Sequence, residues 1–165
     1  MRPVTAKISI DAPRERVFDL VADLANRPAF FDHFAEDFHL QRLESRGVGA
    51  AARFHADATL FPIWMETVVT ELEPPHTIIE RGRGSRADRM ALGFIWELVE
   101  GPAATTDLSV TFWAEPGNPF DKVRSKLGGA RWYRKHLRKA LRRLRDVIEG
   151  DQPIEPLHVA GTSRI

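Results

Sequence analysis

Residues 118–149 read NPFDKVRSKLGGARWYRKHLRKALRRLRDVIE. Phe120, Val123 and Leu127 recur at helical spacing, and Tyr133, Leu137, Ala140, Leu141, Leu144 and Ile148 continue the same stripe. Asn118 suits an N-cap, Pro119 suits a first helical position, and Asp121 complements the helix dipole. Gly128-Gly129 predicts a kink within the stretch. A long amphipathic helix at the end of a domain must bury its apolar stripe against another layer.

The preceding residues supply that layer. From residue 38 to residue 115 the chain reads as strands with a turn every 8–12 residues. The predicted strands cover 38–45, 50–60, 63–73, 76–83, 89–100 and 105–115. Their breaks fall at Arg46-Gly47-Val48-Gly49, Phe61-Pro62, Pro74-Pro75, Gly84-Ser85 and Gly101-Pro102. Further back, VTAKISI at 4–10 alternates as a strand. Asp11-Ala12-Pro13 then opens a helix carrying Val17, Leu20, Val21 and Leu24. After Asn26-Arg27-Pro28 comes a second short helix, FFDHFAED, with Phe30, Phe31 and Phe34 on its apolar side. The order is strand, two short helices, six strands, long helix. The expected class is α+β, with a seven-stranded antiparallel sheet curved around the C-terminal helix.

This pattern resembles the helix-grip fold of the START/Bet v1-like superfamily, and within it the polyketide cyclase/dehydrase branch. The resemblance rests on ISIDAPRERVFDLVADL at 8–24, NRPAFFDHF at 26–34, TELEPP at 70–75, FIWEL at 94–98 and PGNPFDKV at 116–123. It implies one domain over residues 3–149, and Pro153 and Pro156 mark 150–165 as an extended or disordered tail. It also implies a hydrophobic ligand held between sheet and helix, such as a lipid, a polyketide or an isoprenoid. Some relatives of this kind are aromatic polyketide cyclases, so an enzyme of cyclase or dehydratase type is the alternative. Arg27 and Phe34 stand where the well-studied cyclases have Trp and Tyr. Those cyclases also place an Arg in the pocket from the middle strands, where this chain offers Glu66, Thr70 and Glu71.

Composition narrows the chemistry. The chain has 165 residues, 43% hydrophobic and 28% charged, which suits one globular domain. It has no Cys, so disulfides, thiolate catalysis and Cys-ligated metals are excluded. Ten Phe and four Trp stand against one Tyr, a surplus suited to apolar surroundings. The N-terminus lacks the apolar core of a signal peptide, and no apolar run approaches the ~18 residues of a membrane span. A cytoplasmic protein without a transmembrane segment is expected.

Strand alternation selects the candidate ligand-binding residues. Phe94, Trp96 and Leu98 share one face, as do Leu108, Val110 and Phe112 of the next strand. Phe54, Ala56 and Ala58 share another, with room beside the small residues. With the resemblance, the expected ligand walls are Phe34, Phe54, Trp64, Phe94, Trp96, Phe112, Trp132 and Tyr133. Glu66, Tyr133 and His136 are the candidate proton-transfer groups. For Glu66 the alternation leaves two orientations open. Either Trp64, Glu66, Val68 and Thr70 face inward, or Met65, Thr67 and Val69 do.

Other motifs carry less. Arg53, His55 and Asp57 read as the solvent face opposite Phe54. Asp32, His33, Glu36 and Asp37 lack metal-site spacing and read as a solvated face, so no metal or other cofactor is expected. GRGSRA at 82–87 matches a dinucleotide fingerprint, but it sits among short antiparallel-type strands and reads as a hairpin turn.

The net charge of +1 divides unevenly. Residues 1–120 carry −6, residues 121–149 carry +8 and residues 150–165 carry −1. The run Arg131–Arg145 holds eight cations and no acid. No DNA-reading motif accompanies it. It admits contact with RNA or an anionic membrane. The favoured expectation is a solvated face paired with the acidic body.

Overall fold

A computed structural model describes residues 2–56, 63–84, 90–115 and 129–158. Strand β1 (Val4–Ile10) leads into helix α1 (Arg14–Ala22), a 3-10 turn (Leu24–Asn26) and the short helix α2 (Pro28–Phe31). Six strands follow: β2 (Ala35–Leu40), β3 (Ala51–Ala56), β4 (Ile63–Glu73), β5 (Thr77–Gly84), β6 (Met90–Glu100) and β7 (Thr106–Glu115). Helix α3 (Ala130–Glu149) comes last. The sheet is antiparallel throughout, in the order β1-β7-β6-β5-β4-β3-β2. Only β1 leaves its sequential neighbours, to pair with β7.

The α+β helix-grip architecture is therefore as expected, and the chain order matches. Boundaries shift most after Arg27. The second helix ends at Phe31, and FFDHFAED passes into β2 at Ala35. Pro28 opens α2 where a missing N–H costs nothing, and the Asp23 carboxylate accepts from Ala25 N–H at 3.0 Å to cap the turn before it. Gly82 and Gly84 belong to β5, and Met90–Glu100 is a strand, which removes the helix a dinucleotide site would need. The predicted helix start at Asn118 and the stripe Phe120, Val123 and Leu127 lie outside the described residues. So does Gly128, while Gly129 has helical angles of φ −54° and ψ −45°.

Inward positions alternate along the strands, interrupted in β2 by a register shift between Glu36 and His39. Val4, Ala6 and Ile10 of β1 face the core with Leu108, Val110 and Phe112 of β7 and Phe94, Trp96 and Leu98 of β6. On the other half, Phe54 of β3 stands opposite Met65 of β4. A bulge between Val69 and Glu71 then shifts the β4 alternation. Over this concave face lies α3, which buries Tyr133, Leu137, Ala140, Leu141, Leu144 and Ile148. Beyond Gly150 the chain has neither helix nor strand through residue 158. It is tied back by an Arg16–Asp151 ion pair at 2.5 Å and by Leu157 N–H donating to the Ala25 carbonyl at 2.9 Å.

Candidate functional site

Aromatic rings from four elements meet between sheet and helix. Phe31 of α2 lies 4.8 Å from Phe34 and 6.0 Å from Phe94 of β6, centroid to centroid. Phe94 lies 5.0 Å from Phe112 of β7, which stacks on Tyr133 of α3 at 4.2 Å. Tyr133 meets Trp132 edge-on at 4.9 Å, and Trp132 returns to Phe34 at 5.9 Å. Six rings thus form a closed circuit of contacts. Phe54 of β3 joins through Phe31 at 6.5 Å, and Trp96 of β6 joins through Phe31 at 6.0 Å. These spacings and mostly inclined planes suit quadrupolar ring packing. Phe31, Phe34, Phe94 and Phe112 are buried, whereas Trp132 is partly exposed.

Seven of the eight expected ligand walls, namely Phe34, Phe54, Phe94, Trp96, Phe112, Trp132 and Tyr133, are gathered here. Trp64 is not, and its placement corrects the expectation. The burial of β4 alternates with Ile63, Met65, Thr67 and Val69 inside, so Trp64 and Glu66 face outward. Trp64 is 38% exposed, with the Arg53 guanidinium 4.6 Å over its ring and His55 5.2 Å away. Arg53, Trp64, Met65 and Glu66 line a small pocket on this side of the sheet. Glu66 is exposed and so is not the interior base considered from the sequence. Both faces of IWMETVV are apolar enough to bury, so the strand alone could not orient itself. Its pairing with β3 decides, by setting Met65 opposite the inward Phe54.

The interior also holds a charged pair. Arg27, which immediately precedes α2, is 2% exposed and donates from Nη2 to Glu80 Oε1 of β5 at 2.8 Å. The same oxygen accepts Trp96 Nε1–H at 2.9 Å, and Oε2 accepts the Thr67 hydroxyl at 3.2 Å. The guanidinium lies 4.6 Å from the Trp96 ring and 5.1 Å from Phe31, a cation–π setting. Nη2 also reaches the Val21 carbonyl at 3.4 Å, whereas the buried Nε has no hydrogen-bond partner. The carboxylate is thus well satisfied and the guanidinium incompletely so. Sequence reasoning noted Arg27 only as a departure and passed over Glu80. A signal was present: Ile78 and Glu80 share parity, which places an acid on the buried side of the strand.

A second polar group lies at the partly exposed end. His136 of α3 lies 4.2 Å from Trp132 and 5.6 Å from Phe34. His33 stacks on His136 at 5.5 Å, and its Nε2–H donates to the His136 carbonyl at 3.2 Å. That bond fixes the tautomer and leaves Nδ1 a buried acceptor without a hydrogen-bond partner. Burial is the main reason the His33 pKa falls from 6.5 to about 4; Lys139, His136 and Arg143 add to the lowering. His33 is therefore a neutral imidazole near pH 7, not part of a solvated face as its neighbours Asp32, Glu36 and Asp37 are. Asp32 instead ties α3 to the loop after α2 by an ion pair to Arg143 at 2.5 Å.

The fold is the helix-grip arrangement, an antiparallel seven-stranded sheet closed by one long C-terminal helix. The chain belongs to the polyketide cyclase / dehydrase and lipid transport family, whose model matches residues 1–149. Among solved structures it is similar to a protein of Thermus thermophilus, with 16% identity and a TM-score of 0.70 over 92% of this chain and 99% of that one. It is similar to the Zhui aromatase/cyclase of Streptomyces sp. R1128, with 17% identity and a TM-score of 0.65 over 93% and 99%. A START superfamily protein of Mycobacterium smegmatis gives 18% identity and a TM-score of 0.63 over 91% and 99%. No curated protein matches the chain significantly. Among the described residues, no helix is long and apolar enough to cross a membrane.

Proposed function

We propose that the protein binds a hydrophobic, ring-containing small molecule between the sheet and α3. The aromatic circuit carries this reading: Phe31, Phe34, Phe94, Phe112, Trp132 and Tyr133 converge from α2, the sheet and the helix. Rings converging in this way favour a flat apolar ligand by area and by stacking where they part to admit it. Few polar groups accompany it, and a few placed polar groups in an apolar lining are what a small-molecule site needs. Arg27 with Glu80 supplies one, and His33 with His136 another. The family's description, which includes lipid transport, supports the same reading.

Native mass spectrometry of protein purified without detergent tests it. The expected result is an added mass that organic extraction removes. Titration with a polycyclic aromatic probe should also quench Trp emission, with part of the response lost in Trp132→Phe. Protein that carries no added mass and shows no probe response overturns the reading.

A second reading is cyclase-type catalysis on a poly-β-keto substrate. It is favoured by His33, His136 and Tyr133 lying together beside the rings, with His33 neutral near pH 7. In this reading Glu66→Gln leaves turnover of a poly-β-keto thioester analogue unchanged, while His136→Ala lowers it by ~100-fold or more. Full turnover in His136→Ala removes the second reading and leaves the first intact.

A further inference from the structure

Among the described residues, the expected pairing of the basic helix with the acidic body is made by one residue. Arg143 reaches Asp32, and Arg145 pairs only within α3, with Asp146 and Glu149. Arg131, Arg134, Lys135, Arg138, Lys139 and Arg142 are all exposed, and none forms an ion pair among the described residues. At 3.6 residues per turn these six fall within an arc of roughly 140°, along about 17 Å of helix. The arc lies opposite the side that buries Leu137, Ala140 and Leu144. Residues 131–145 hold no acid to interrupt it.

We propose that this face docks the protein on an anionic lipid surface. The chemistry of the strip selects the partner. Its arc contains only Arg and Lys, and the ring at its edge, the partly exposed Trp132, packs on Tyr133 and His136 instead of standing free to stack a single-stranded base. It has no Asn, Gln, Ser or Thr to supplement its cations in reading base edges in a groove. It offers no apolar centre of the kind that forms the core of a protein–protein interface. A plane of anionic headgroups requires neither readout nor a pocket. It requires cations held on one side of a rigid element, close enough to act within a Debye length of about 8 Å. The rest of the chain carries −7 against +8 in residues 121–149, so the field also orients the molecule with α3 toward the membrane. The docking rests on charge and stands whether or not the interior binds a ligand.

The test is co-sedimentation of the full chain with vesicles of phosphatidylcholine and phosphatidylserine, against pure phosphatidylcholine, at low and at high salt. Binding is expected only to the phosphatidylserine vesicles, and is expected to fall steeply with salt. The triple substitution Arg134→Glu, Arg138→Glu and Arg142→Glu should weaken it on the order of 100-fold or more. Its melting temperature should stay close to that of the parent, because all three side chains are exposed. A control with the same change in net charge, Lys7→Glu, Arg42→Glu and Arg83→Glu, removes cations exposed elsewhere and should retain most of the binding. Equal binding to pure phosphatidylcholine overturns the proposal, as does no binding at low salt or an unaffected triple variant. Tighter binding to polyuridylate than to the vesicles overturns it in favour of RNA.

Discussion

Arg27 and Glu80 place opposite charges where water does not reach, and each depends on the other. Glu80 accepts three hydrogen bonds, from Arg27, Trp96 and Thr67. Removing one member of a buried pair leaves an uncompensated charge, which costs about 3–5 kcal/mol. Glu80→Met should lower unfolding free energy by about that amount in urea titrations. Arg27→Met combined with Glu80→Met should recover part of the loss, because the second change removes the stranded guanidinium. A double variant no more stable than Glu80→Met would show that the pair has no such coupling. His33 gives a pH effect of defined sign. Its folded pKa, about 4, lies below the ordinary 6.5, so the unfolded chain takes up the proton first. Stability is therefore full above pH 6.5 and declines as pH falls toward about 4, where the decline ends. The urea midpoint of the parent should drop across that window more than the midpoint of His33→Gln does.

At the scale of elements, two glycines show why the sheet can coil. Gly82 faces β4 so closely that a Cβ would lie 1.9 Å from the Glu66 carbonyl oxygen. A Cβ on Gly93 would lie 2.2 Å from the Glu80 carbonyl and 2.8 Å from the Trp113 ring. The obstacles include backbone, which has no rotamer to yield. Gly82→Ala should cost about 1–3 kcal/mol or more, read as a lower melting temperature with unchanged far-ultraviolet dichroism. A stability equal to the parent would mean that β4 and β5 separate freely there. In the sequence, Gly84 read as the end of a strand and GRGSRA at 82–87 as a hairpin turn, because local reading cannot distinguish a glycine that admits a close neighbouring strand from one that ends its own. The same limit applied to β4. Its residues alternate between two faces that both look apolar, and only the neighbouring strand assigns Met65 inward and Trp64 outward.

Across the whole molecule, α3 is the cover of the sheet, and its basic face and apolar stripe lie on opposite sides of one cylinder. Leu137, fully buried against the sheet, is a sensitive point of that contact. Leu137→Ala should cost about 2–5 kcal/mol. Since helix and sheet share one core, far-ultraviolet dichroism and Trp emission should report a single coincident transition. Separate transitions would show that α3 detaches before the sheet unfolds.

Element order, strand alternation and the amphipathic stripe of α3 were legible from residues because they depend on periodicity, which is local. Periodicity together with the family resemblance identified seven ring residues of the interior, and a count by segment located the concentration of charge after residue 120. Only the tertiary structure joined Arg27 to Glu80, 53 positions apart, and His33 to His136, 103 apart. It alone showed that, among the described residues, six cations of α3 form no ion pair with the body's acids. Pairing of charges depends on distance in space, and no period along a chain encodes that distance.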